Sequence, residues 1–172
     1  LDIPLQHYSD KVLKRMNRRI DSKGIDTLVA KLAARGGYTV RSTFIVGFPG
    51  ETDEDVELLE RFLTRAKLDR CGFFEYSKED GTAAARLPEQ VPEEVKHARF
   101  ERLYALQEGI MDQKATAKIG TVQEVIYEDI DFDGQMFVGR TRGDAPGVDS
   151  RILFTSERPM DVGEICRVKV TG

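Results

Sequence analysis

The chain is poor in the residues that build metal and disulfide frameworks. It has two cysteines, Cys71 and Cys166, far apart, with no CxxC pair and no cluster at metal-ligand spacing. This excludes a disulfide scaffold, and it excludes an iron–sulfur or zinc site built from this chain alone. Both thiols read as buried structural groups in a cytoplasmic protein. No apolar run approaches the roughly 20 residues that span a bilayer. Leu1-Asp2-Ile3-Pro4 lacks the basic flank and apolar core of a signal peptide, so no membrane partner is expected. Internal repeats and low-complexity tracts are absent. Positive charge is not in excess: the formal net charge is −4, which argues against a nucleic-acid partner. The chain also opens without methionine, directly on a strand-like segment, and reads as a piece of a larger protein.

What is present suits one medium domain or two small ones: 172 residues, 40% apolar and 33% charged. The most informative stretch is FIVGFPGETDED, Phe44 to Asp55. Phe44-Ile45-Val46 is too short for a helix and suits a strand covered on both faces. Gly47, Pro49 and Gly50 shape a turn without bulky side chains, where a flat ligand can approach the backbone. Thr52 and Asp55 form an acidic capping box that opens the next helix. A strand end meeting a helix start is where α/β proteins place ligands.

The rest of the pattern falls in two parts. Leu1 to Leu5 reads as a strand with Pro4 near its end. Ser9 or Asp10 caps a short helix with Val12, Leu13 and Met16 on one face. A second helix from about Ser22 carries Ile25, Leu28, Val29 and Leu32 as one stripe, and Gly36-Gly37 ends it. Thr39 to Val46 is a strand, Thr52 to Lys67 a helix, and Cys71 to Tyr76 a third strand. Strands alternating with helices imply a parallel sheet. Three such strands make an open half-sheet with unpaired edges, which is expected to self-associate or to need further chain. Glu79 to about Val91 is irregular. Pro92 then starts a long helix, with Val95, Phe100, Leu103, Leu106, Ile110 and Met111. After Gly120 come TVQEVIY, QMFVGRT, RILFT and EICRVKV, short β-type runs with a hairpin signal at Asp133-Gly134. They predict a small all-β module, a five-stranded barrel.

The fragments LDIPLQH, SDKVLKRMNRR, RSTFIVGFPGETDED, FFEYSKEDGTAAARLPEQVPEEVK and GRTRGDAPGVD, in this order and spacing, closely resemble the radical S-adenosylmethionine methylthiotransferases. Within them the likeness is greatest to the enzymes that modify an aspartate of the twelfth small-subunit ribosomal protein. Pro4-Leu5-Gln6-His7 and Asp144-Ala145-Pro146-Gly147-Val148-Asp149 favour that branch over the one that modifies transfer RNA, although Gly147 stands where the family usually has glutamate.

The resemblance implies an α/β plus all-β fold: residues 1–91 as the last three βα units of a radical-SAM (β/α) barrel, 92–117 as a linking helix, and 118–172 as an OB-like TRAM β-barrel. It also implies S-adenosylmethionine and two [4Fe–4S] clusters as cofactors, with the cluster cysteines upstream in the family. This chain alone is therefore expected to be inactive. A transfer-RNA adenosine methylthiotransferase and a non-enzymatic TRAM-containing binding module stand as alternatives.

On that resemblance, Gln6 and His7 end the first strand at the barrel mouth as candidate cofactor contacts, and Gln6 is placed to hydrogen-bond the ribose or methionine part of S-adenosylmethionine. Arg18 can grip a carboxylate bidentately, while Arg15 and Arg19 read as solvated. Gly47, Pro49, Gly50 and Glu51 match the glycine-rich bend that packs the adenine, with an apolar wall from Ile45 and Val46. Arg41 lies at the opposite end and reads as structural. Tyr76, with Phe74 and Ser77, ends the third strand and is placed to flank the adenine. In the β-module, seven Lys and Arg stand against ten Asp and Glu over residues 118–172. Glu128, Asp129, Asp131 and Asp133 crowd one hairpin. With Arg140, Asp144 and Asp149 they are the candidate contacts for a basic ribosomal protein. RNA, which binds chiefly through phosphate neutralisation, suits this surface less; Arg140 and Arg142 are the residues that favour it.

Overall fold

The computed structural model describes residues 1–131 and 133–172, in two compact units, Leu1–Gln113 and Lys114–Gly172.

In the first unit, β1 (Arg41–Val46) and β2 (Arg70–Glu75) pair in parallel, Phe44 opposite Phe73 and Val46 opposite Glu75. The first residues run parallel to β1 on its other side but do not form the expected strand. They touch it at two bridges, Asp2 to Arg41 and Gln6 to Phe44. The physical reason lies between them: Pro4 has no N–H to give the ladder, and Gln6 turns to φ 72°. The second strand starts two residues later than expected, because the Val40 N–H is taken by the Asp69 carboxylate at 2.8 Å.

Four helices flank this sheet: α1 (Asp10–Arg15), α2 (Ser22–Arg35), α3 (Asp53–Ala66) and α4 (Glu93–Thr116). Ser9 caps α1, Asp21 caps α2 and Gly36 ends α2 at φ 63°. Of the α2 stripe only Ile25 is fully buried; Leu28 and Val29 pack at the core's margin. Alternation along β1 sends Phe44 and Val46 to the helices, where Leu13, Ile25, Leu59, Phe62, Leu63, Leu103 and Ile110 complete the core. Thr43 and Ile45 fall on the other face and stay half-buried. Leu103 and Ile110 pack α4 into the core of the first unit, and the helix's last residues, from Lys114, fall in the second. Its buried stripe also contains Lys96, Arg99 and Gln107.

Asp55, in the first turn of α3, ties two helix starts together. It accepts from the Ser9 hydroxyl at 2.7 Å, the Thr52 N–H at 2.8 Å and Lys11 Nζ at 2.5 Å. Burial alone would raise its pKa. The hydrogen bonds from Lys11, Ser9 and Thr52 outweigh burial and hold the carboxyl at about 2, below its ordinary 3.8. A depressed carboxylate stabilises the fold above its unfolded pKa and loses that contribution as pH falls through the folded value. Urea unfolding should therefore show Asp55→Asn less stable than wild type by about 2 kcal/mol at pH 7, with the gap closing from about pH 4 towards pH 2.

The second unit is a four-stranded antiparallel sheet in the order β5-β4-β3-β6. Its strands are β3 (Val122–Ile130), β4 (Phe137–Thr141), β5 (Ile152–Phe154) and β6 (Ile165–Lys169). The five-stranded barrel is thus not what the described residues form. A cleft of about 580 Å³, lined by Leu153, Phe154, Cys166 and Val168 among others, lies where β5 and β6 do not pair. Val125, Tyr127 and Phe154 make a small core. The two cysteines are half-buried rather than enclosed, and burial raises the Cys166 thiol pKa. Gly139 is required by contact: a Cβ there would sit 2.4 Å from the Ile126 carbonyl oxygen and 2.6 Å from Val125 Cγ1. Gly139→Ala should cost this unit about 1–3 kcal/mol and leave the first unit's unfolding midpoint in place, readable by denaturant titration with separate probes.

Candidate functional site

Parallel pairing puts three strand ends on one edge of the first unit. Gln6 follows the first segment, Gly47 follows β1, and Tyr76 follows β2, its N–H donating to the Val46 carbonyl at 2.8 Å. Arg41 lies at the far end, as expected.

Gln6 is held in the left-handed region at φ 72°. Its N–H donates to the Thr43 carbonyl and its own carbonyl accepts from Ile45, both at 2.8 Å. Its side chain makes no hydrogen bond among the described residues. Glutamine pays about 1–2 kcal/mol for that backbone, and strain of this kind collects at ligand sites.

His7 and Glu51 turn inward. His7 is fully buried, and its Nδ1 accepts the Ser9 N–H at 3.0 Å. Its proton therefore sits on Nε2, which donates to Glu51 Oε2 at 3.2 Å. Glu51 has no exposed side-chain surface. Its Oε1 accepts the Gly47 N–H at 2.9 Å and Arg99 Nη1 at 2.9 Å. Arg99 also reaches Asp53 Oδ1 through Nη2 at 2.8 Å. One hydrogen-bonded network thus joins the first segment, the β1 loop, the start of α3, and α4. Its groups hold the rim in shape and face each other.

Both loop glycines face protein side chains. A Cβ at Gly47 would meet Lys96 Cγ at 2.2 Å, and one at Gly50 would meet Arg15 Cζ at 2.4 Å. The flat-ligand approach expected over this turn is taken there by a lysine stem and a guanidinium. Arg15 is no solvated spectator: it donates to Glu89 Oε2 at 2.9 Å and to the Pro88 carbonyl at 3.2 Å. Arg18 donates to the Pro4 carbonyl at 2.5 Å. Pro49 lies within the same bend. Val46 is in the helix-facing core, so Ile45 alone of the expected apolar wall lies on the open face. Phe74 is 60% exposed, and Ser77 bonds Glu79 Oε1 at 2.6 Å. Tyr76 packs edge-on against Phe48, ring centres 5.2 Å apart. Its hydroxyl is buried without a hydrogen-bond partner among the described residues. A free amide at Gln6, an orphaned hydroxyl at Tyr76 and an uncovered apolar face suit a ligand with a flat ring and polar ends.

Cluster ligation is another matter. Among the described residues no three His, Cys, Asp or Glu side chains gather as a metal site. The two thiols stand in separate units.

In the second unit Glu128 is the extra residue of a β-bulge between Tyr127 and Asp129, and it pairs with Arg140 Nε at 2.6 Å. Asp131 accepts the Gln135 and Met136 N–H groups and shapes the hairpin. Asp144 accepts the Thr141 N–H, and Asp149 the Ala145 N–H at 2.6 Å, folding the segment between β4 and β5. Asp129 and Asp133 belong to the same hairpin. The acidic candidates therefore include several that build turns.

Sequence reading missed Lys96 and Arg99. The signal was their helical register with Leu103 and Ile110, which a search for apolar periodicity passes over.

Residues 1–63 match the Radical SAM superfamily, and residues 119–172 match the TRAM domain. The ribosomal protein uS12 methylthiotransferase RimO of Pelotomaculum thermopropionicum is 49% identical over all of this chain, which covers 39% of that protein. The proteins of the same name from Desulforudis audaxviator and Pectobacterium atrosepticum are each 46% identical, with 38% of their length covered. The chain thus spans about two-fifths of the curated relatives it matches. Coproporphyrinogen III oxidase (HemN) of Escherichia coli, a radical SAM enzyme, shares the fold at a TM-score of 0.57. That match has 15% identity and covers 83% of this chain and 40% of that one. No helix among the described residues is long and apolar enough to cross a membrane.

Proposed function

We propose that this chain, with its Radical SAM and TRAM segments, is the C-terminal portion of a radical S-adenosylmethionine methylthiotransferase that acts on the ribosomal protein uS12. Whole-chain identity of 49% to a relative of that name carries the reading. The rim formed by Gln6, the Gly47–Glu51 bend and Tyr76 is its structural counterpart. S-adenosylmethionine and an iron–sulfur cluster, when bound, would supply the radical chemistry needed to remove an unactivated hydrogen, which no side chain can take by acid–base chemistry. A second cluster would supply the sulfur, as the family resemblance implies. Among the described residues no three His, Cys, Asp or Glu side chains gather to hold either one.

The role of this chain's own residues is to bind and orient. The Gln6 amide, fixed by its backbone bonds to Thr43 and Ile45, hydrogen-bonds the polar part of the cofactor. Tyr76 offers its unpartnered hydroxyl. Ile45 and the exposed Phe74 give the adenine an apolar surface. Arg18 gives one Nη2 hydrogen to the Pro4 carbonyl and has further N–H groups to offer a cofactor carboxylate. In the second unit, a net charge of −3 over residues 118–172 attracts a basic ribosomal protein rather than RNA. Asp133, Asp129 and the Glu128–Arg140 pair lie on the candidate face.

The test uses the intact protein, reconstituted anaerobically with iron and sulfide, and offers it uS12 and transfer RNA separately. An aspartate of uS12 should gain the mass of a methylthio group. Modification of transfer RNA alone would move the assignment to the other branch.

A further inference from the structure

Helix α4 carries two cations into the interior, three residues apart, and each reaches a different strand-end loop. Lys96 is 2% exposed. Its stem lies on the Gly47 backbone, where a Cβ would fall 2.2 Å from Lys96 Cγ and 2.9 Å from Cδ. Its Nζ donates to the Tyr76 carbonyl at 2.9 Å and to Glu93 Oε1 at 2.6 Å, and sits 5.3 Å from the Tyr76 ring centre. Arg99, 8% exposed, holds Glu51 Oε1 at 2.9 Å, the Glu51 carbonyl at 3.3 Å and Asp53 Oδ1 at 2.8 Å.

Buried cations are a poor way to gain stability, since desolvation offsets much of their attraction and apolar replacements are often neutral or better. Leucine at 96 or 99 would continue the stripe of Leu103 and Ile110. It could not hold a carbonyl at the end of β2 or a carboxylate in the loop after β1. What the cations add is a fixed distance between those two loops, because one rigid helix spans both. Gly47 completes the device, since only glycine admits the lysine stem there.

We propose that Lys96 and Arg99 are positioning residues for the cofactor cradle: from one helix they set the Gly47–Glu51 bend and Tyr76 at the spacing that S-adenosylmethionine requires. This rests on the reading of that rim as the S-adenosylmethionine site. Neither residue touches the ligand.

The experiment compares wild type, Lys96→Met and Arg99→Lys in the intact reconstituted protein. S-adenosylmethionine affinity is measured by equilibrium dialysis, amide exchange is measured without ligand, and thermal midpoints report folding. Methionine keeps the stem of Lys96 without its charge; lysine keeps the charge of Arg99 without its fork. Each variant should bind on the order of tenfold more weakly, with faster exchange at residues 47–51 and 74–77. The Lys96→Met midpoint should stay near that of wild type. A merely structural role would move the midpoint and leave the affinity of folded protein unchanged. Wild-type affinity and wild-type exchange in either folded variant would overturn the proposal. Wild type that binds no S-adenosylmethionine would instead sink the reading of the rim, and this inference with it.

Discussion

Glu51→Ala should destabilise the first unit by about 3–5 kcal/mol, the cost of removing one partner from a buried charge network. Without the carboxylate, Arg99 keeps a buried guanidinium with only Asp53 and a carbonyl to meet it. The Gly47 N–H loses its acceptor, and the His7 Nε2 proton has nowhere to go. Each of these is buried, so water does not replace the lost bond. The effect should appear in urea unfolding as a lower midpoint for the unit of residues 1–113 and no change in the second. Glu51→Gln keeps one oxygen for Gly47 and Arg99 but turns an NH2 towards the His7 Nε2 proton, and should fall between. S-adenosylmethionine binding by the intact protein should be lost with Glu51→Ala even under conditions where it stays folded, because the β1 loop no longer has a fixed shape.

Gln6→Gly should separate binding from stability. Glycine adopts φ 72° freely where glutamine is strained. Against that relief stands the greater freedom of glycine in the unfolded chain. The net change in stability should be zero to about 1 kcal/mol in favour of the variant. S-adenosylmethionine affinity of the intact protein should fall on the order of tenfold, since a positioned polar contact is gone. Equilibrium dialysis beside denaturant unfolding reads both. If Gln6 were only a turn residue, the variant would gain stability and keep its affinity.

Much of this arrangement could be read from short-range pattern. The run from Phe44 to Asp55 announced a strand, a glycine turn and a capped helix. The Thr52–Asp55 contact is there at 2.8 Å, because a capping residue needs only its immediate neighbours. The helix ends at Ser9, Asp21 and Gly36 were legible for the same reason. The first segment was harder. Its composition suits a strand, but Pro4 and the turned backbone of Gln6 leave it only two bridges. The β-module announced its strand runs but not how many would close, because closure depends on pairing between distant edges.

The sequence brought out the candidate rim but not the bonding within it. Gln6, Gly47 and Tyr76 do stand together at one edge of the parallel pairing. That Glu51 and His7 would face inward was not visible, since their partners stand 44 and 48 residues away along the chain, His7 against Glu51 and Arg99 against Glu51. Lys96 and Arg99 escaped because charged residues on a helix are ordinarily solvated. Their register with Leu103 and Ile110 was the available clue.

The most direct measurement is hydrogen exchange of the intact, cluster-loaded protein with and without S-adenosylmethionine. Protection should appear together at residues 3–7, 44–51 and 74–77, the three strand ends that share one edge. Binding that protects none of these segments would contradict a cofactor cradle built from this part of the chain.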